Sequence, residues 1–144
     1  MDLSSDLTAL IPRWRIDGTD MLPPSDPAQI EAVFARLGQP ATGEVVTLYT
    51  TLGGMATMDG EFWRLWSLDE IARENQAPPS EWGVQFADFL THSHVFRLRT
   101  TADGHSEVLA DTLDDTAPPV RVAASLAEFF ALYRQRPDQV LQPR

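Results

Sequence analysis

Three histidines and several carboxylates are the residues here whose types and spacing invite chemistry. His92 and His94 are two positions apart. On a strand, positions i and i+2 project to one face, so both rings could hold one metal ion, with Asp88 or His105 as a third ligand. If the strand is continuous, however, both share parity with Phe96 and Leu98, which mark the core side. They then read as strand-end histidines satisfied by hydrogen bonds, and neither a metal nor a cofactor is expected. The carboxylate pairs are Asp69 with Glu70 and Asp114 with Asp115. Acid–base catalysis needs two carboxyls that converge in a cleft with pKa values pushed apart. Asp69 and Glu70 are already explained by helix capping and the helix dipole, and Asp114 and Asp115 fall in a loop. Thr57-Met58-Asp59-Gly60 reads as a turn. No nucleophile elbow, phosphate loop, dinucleotide fingerprint or zincin helix occurs.

The elements that must position these residues follow from periodicity. Residues 1–24 read as an N-terminal arm or short helix (Leu7, Leu10, Ile11, Trp14) closed by Pro23-Pro24, with Trp14 requiring burial. A helix is predicted from Ser25 or Asp26 to Leu37, with Pro27 in its first turn and Gly38 as its stop. A second is predicted over 42–52, ended by Gly53-Gly54. Phe62 to Trp66 reads as a strand. Alternation then puts Trp63 and Trp66 on opposite faces, one of them exposed or covered by a loop. Ser67 with Glu70, and Ser125 with Glu128, read as capping boxes opening further helices. Pro78-Pro79 forces a loop. Strands are predicted over 84–89, 94–101 and 106–112, the last two joined by a two-residue Asp103-Gly104 turn that would set Leu98 opposite Leu109. Another short strand is expected over 119–123, and the chain is expected to fray after Pro137. Helices, a strand, a helix, a run of strands and a helix argue for one α+β domain over 25–136. Its expected form is a twisted antiparallel sheet with helices packed mainly on one side.

Composition restricts function further. The 144 residues carry a net charge of −10, which disfavours direct binding to nucleic-acid backbones and permits a basic partner. Cysteine is absent, which excludes disulfides and a cysteine nucleophile and suits a reducing compartment. No apolar run approaches the roughly 20 residues a membrane helix needs, and no signal peptide is visible at the start. A cytoplasmic protein is the expectation.

The order Leu52-Gly53-Gly54, Trp66-Ser67-Leu68-Asp69-Glu70-Ile71, Phe86-Ala87-Asp88-Phe89, a hairpin, and a terminal helix with Ser125-Leu126-Ala127-Glu128-Phe129 resembles the SUKH superfamily. That group includes the yeast cell-wall assembly regulators and bacterial toxin-immunity proteins, and the likeness spans about residues 25–141. Gly53, Gly54, Trp66, Ser67, Asp69, Glu70 and Asp88 carry it as structural positions. The resemblance implies a non-enzymatic module, an immunity protein that binds and occludes a cognate polymorphic toxin, or a regulatory adaptor without a toxin partner. The docking surface is expected on the open sheet face at Arg97 and Arg99, with Asp111, Asp114, Asp115 and Trp63. A small metal-dependent enzyme using His92, His94 and Asp88 is the alternative.

Overall fold

The computed structural model describes residues 2–75 and 80–142; the loop expected at Pro78-Pro79 lies outside them. Helices α1 (Leu3–Ile16), α2 (Pro27–Arg36) and α3 (Gly43–Thr51) precede strand β1 (Trp63–Leu65) and helix α4 (Leu68–Glu74). Strands β2 (Val84–Phe89), β3 (His94–Thr100), β4 (Ser106–Asp111) and β5 (Val120–Ala123) follow, then helices α5 (Leu126–Gln135) and α6 (Pro137–Leu141). The strands form one antiparallel sheet in the order β1-β2-β3-β4-β5, each beside its neighbour in sequence. This is the expected α+β architecture. Phe96 and Leu98 of β3 face the helices, where Phe129 of α5 meets Phe96 edge-on at 5.9 Å between ring centroids.

The arm or short helix expected before Pro23 is a 14-residue helix packed into the core, and the stretch after Pro137 is more ordered than its sequence suggests. Leu3, Leu7, Leu10 and Trp14 form one buried stripe of α1, which packs against α3 and α5. An interior proline costs a helix about 3 kcal/mol, yet α1 continues through Pro12. Four buried apolar side chains, each worth about 1.5–3 kcal/mol, outweigh that cost. Among the described residues, which run to Gln142, the fraying expected after Pro137 does not occur. Pro137 instead opens α6, a first-turn position where its missing N–H is harmless, and Val140 and Leu141 are buried.

The helix starts follow the sequence closely. Asp26, Thr42, Ser67 and Ser125 each accept a backbone N–H in the first turn of α2, α3, α4 and α5. The capping boxes are only partly reciprocal. Glu128 reaches back to the Ala124 amide, whereas Glu70 turns away from Ser67 to pair with Arg64. Gly53 is required for a different reason than helix termination. The chain leaves α3 extended at Leu52, and a Cβ on Gly53 would lie 2.0 Å from the Pro23 carbonyl oxygen.

The β3–β4 hairpin is one residue out of the expected register. Leu98 pairs with Val108, Arg99 with Glu107 and Arg97 with Leu109. Thr101 donates to the His105 carbonyl, so the loop holds three residues with Gly104 left-handed at φ 84°. A type I turn followed by a left-handed residue is the usual three-residue solution, and it shifts every pair by one. In β2, a bulge at Phe86 lets Gln85 pair with Arg97 while Asp88 pairs with Val95. Bulges re-aim side chains, and this one brings Asp88 back to the face that Gln85 shares.

Trp63, expected at a docking surface, is fully buried. It lies against Trp14 (6.5 Å), Tyr133 (5.3 Å) and Phe130 (5.8 Å) because α1 and α5 close over β1. Trp66 is buried as well, so neither tryptophan of the pair is exposed. Behind them Asp59, read from sequence as a plain turn residue, is buried and accepts four hydrogen bonds. Its donors are the Trp14 indole (3.0 Å), the Tyr133 hydroxyl, and the amides of Glu61 (2.9 Å) and Trp63 (3.0 Å). Burial raises the Asp59 carboxyl above its ordinary 3.8 despite these donors, and burial also raises the Tyr133 hydroxyl.

Candidate functional site

The sheet face turned away from the helices is built of charge in register. One cross-strand row reads Arg64, Asp88, Val95, Asp111; the next reads Gln85, Arg97, Leu109, Arg121; and Arg99 stands opposite Glu107. Arg97 donates to Asp111 at 2.8 Å and to the Gly83 carbonyl at 3.1 Å. Arg99 pairs with Glu107 at 2.5 Å and lies 5.4 Å from the centre of the Trp82 ring. Leu109, flanked by arginines whose stems can cover it, is buried although it lies outside the main core cluster. The charges expected to greet a partner are thus largely spent on one another. The side chains of Arg97 and Asp111 are only 12% and 11% exposed.

What remains available is the segment after β4. A cleft of about 440 Å³ lies between Trp82, Arg97 and Asp111 on one side and residues 113–119 on the other. Asp111 organises it twice, holding Arg97 through one oxygen and the Leu113 amide (2.8 Å) through the other. Asp114 accepts the Thr116 amide and hydroxyl, and the Thr116 amide first of all holds its carboxyl below the ordinary value. Leu113, at φ 63°, is half exposed above the cleft. Of the expected docking residues, Arg97, Asp111, Asp114 and Asp115 line this cleft, and Arg99 adjoins it through Trp82. Sequence reasoning missed Trp82, Glu107 and Leu113. Trp82 stood outside every predicted strand, and Glu107 came to face Arg99 only through the hairpin register.

A second charged cluster sits at the other end of the face. Arg64 bridges Glu70 (2.6 Å) and Asp88 (3.2 Å), and Asp88 also accepts the Trp66 indole at 3.0 Å. Trp66, Glu70 and Asp88, noted as structural positions, therefore lock together, while Ser67 and Asp69 open α4 beside Gly53. His92 lies 3.4 Å from Asp88. His94 instead packs beside Phe89, with ring centroids 5.8 Å apart. The two rings do not share a face as a continuous strand would require. β3 begins only at His94, and Leu90, Thr91 and His92 form a left-handed turn. Among the described residues, no three His, Cys, Asp or Glu side chains are placed to hold one metal ion, and His105 lies instead 3.5 Å from Glu44.

No protein-family model matches the chain, and no curated protein matches it. Among the described residues, no helix is long and apolar enough to cross a membrane.

Proposed function

We propose that this chain is a protein-binding module of the SUKH kind, an immunity protein that docks on a cognate toxin domain and occludes it. The cleft between Trp82 and residues 113–119 carries this reading. It joins an aromatic wall, a half-exposed leucine and two exposed aspartates at the rim of a face whose other charges are internally paired. Aromatic and apolar anchors set dissociation rates at interfaces, while rim charges set encounter rates and partner choice. A basic toxin domain would be steered by the net charge of −10. A cytoplasmic setting is consistent with the absence of cysteine.

The test begins with the proteins that co-purify with the tagged chain from its native host. The recovered partner is then titrated calorimetrically with wild type and with Asp114→Arg/Asp115→Arg. Weaker, less salt-sensitive binding by the variant is the expected result. Unchanged affinity removes the cleft from the interface, and rescue of growth on co-expression decides whether the partner is a toxin.

A further inference from the structure

A second surface, away from the charged sheet face, combines apolar exposure with backbone strain. Phe62 and Leu90 are 57% and 47% exposed, and both stand in the left-handed region, at φ 65° and 51°. Glycine or asparagine fills such positions readily, whereas a bulky side chain there is an outlier that the surroundings must enforce. The enforcement is visible. The Asp59 carboxylate holds the amides of Glu61 and Trp63 on either side of Phe62, and the Phe62 amide donates to the Asp59 carbonyl at 3.0 Å. The Leu90 amide then donates to the Phe62 carbonyl at 3.0 Å, tying the two strained tips together.

Between these tips and α6 is a notch of about 420 Å³, walled by Phe62, Phe89, Leu90 and Leu141. Its charged lining residues are Glu61 and Asp138, both acidic. We propose that this notch is a docking site for an apolar side chain carried on a basic segment of another protein. The walls fit an apolar anchor, and the two carboxylates fit arginine or lysine beside it. A second copy of the chain, or an anionic membrane, would meet the net charge of −10 unfavourably. The inference stands apart from the cleft at Trp82 and survives if that cleft binds nothing.

The probe is a labelled short peptide with a central Leu-Phe pair flanked by arginines, paired with the same peptide flanked by glutamates. Binding is read by fluorescence anisotropy and by amide shift changes in the full-length protein. The arginine peptide should bind with shifts centred on Phe62, Leu90 and Leu141, and the glutamate peptide should bind at least about tenfold more weakly. Phe62→Gly/Leu90→Gly removes both anchors while relieving both left-handed positions. It should weaken binding by at least about tenfold with a Tm equal to or above wild type. Should that variant lose its fold, Glu61→Arg/Asp138→Arg decides, because it should reverse the preference between the two peptides. Equal binding of both peptides, shifts located elsewhere, no binding at all, or an unreversed preference overturns the proposal. Self-association in sedimentation, or capture by phosphatidylserine vesicles in place of the peptide, overturns it as well.

Discussion

Asp59 is the most demanding single test of how this fold is held. In Asp59→Ala the Trp14 indole, the Tyr133 hydroxyl and the Trp63 amide lose their acceptor in the core, while the Glu61 amide is nearer solvent. Each buried donor left unpaired costs about 1–3 kcal/mol. Relaxation makes such losses less than additive, so we expect about 3–5 kcal/mol, a large part of the roughly 5–15 kcal/mol typical of a whole domain. Asp59→Asn should lose less. Its carbonyl can keep the two amides, Tyr133 can turn to accept from the new NH₂, and only the Trp14 indole faces another donor. That difference predicts about 1–2 kcal/mol for the asparagine variant. The pH dependence has a fixed sign. Burial raises the native carboxyl above 3.8, so the native state holds this proton more tightly than the unfolded chain. The contribution is present in full below the unfolded value and is lost as pH rises through the native one. The deficit of Asp59→Asn relative to wild type should therefore be widest in mild acid and narrow toward neutrality. Urea unfolding followed by tryptophan fluorescence between about pH 4.5 and 7.5 measures both quantities. Equal losses for Ala and Asn, or an Asn deficit that grows with pH, would refute the reasoning.

Other perturbations separate fold from surface. Gly53→Ala drives a Cβ to 2.0 Å from the Pro23 oxygen and should destabilise by more than about 1 kcal/mol in denaturant unfolding. Arg97 and Asp111, both largely buried, should show a coupling of about 1–2 kcal/mol in a double-mutant cycle. Asp115→Arg should change stability by no more than about 0.5 kcal/mol while altering partner binding, since the residue is exposed. Deleting residues 1–20 removes Leu3, Leu7, Leu10 and Trp14 from the core. At about 1.5–3 kcal/mol each, that loss approaches the whole stability and should abolish a cooperative transition.

Local signals were the legible part of this sequence. Asp26, Thr42, Ser67 and Ser125 each mark a helix start within a residue or two, because a cap depends only on its own turn. The alternation of Phe96 and Leu98 with Arg97 and Arg99 marked the two faces of β3. What failed depended on distant partners. Trp63 looked available because nothing in Phe62–Trp66 announces that α1 and α5 will cover it. The hairpin register turned on one residue of loop length, and that residue decided which acid faces Arg99. His92 and His94 parted because the strand starts two residues later than the pairing required, after a left-handed turn that Leu-Thr-His does not advertise. The cleft at Trp82 was half legible: its aspartates stood out, while Trp82 reached it only through the folded sheet.

The contact between α1 and α5 has a consequence during synthesis. Each strand of the sheet pairs with the strand translated just before it, so the meander can zip in the order it emerges. The apolar stripe of α1, by contrast, can meet α3 early but reaches its partner α5 only after all five strands have been made. At elongation rates of about 5–20 residues per second, that delay is on the order of ten seconds. During it, Leu3, Leu7, Leu10 and Trp14 have no partner on α5. The packing of α1 is thus completed only after the whole sheet has been made, and until then its α5-facing side chains are open to holdase chaperones and proteases.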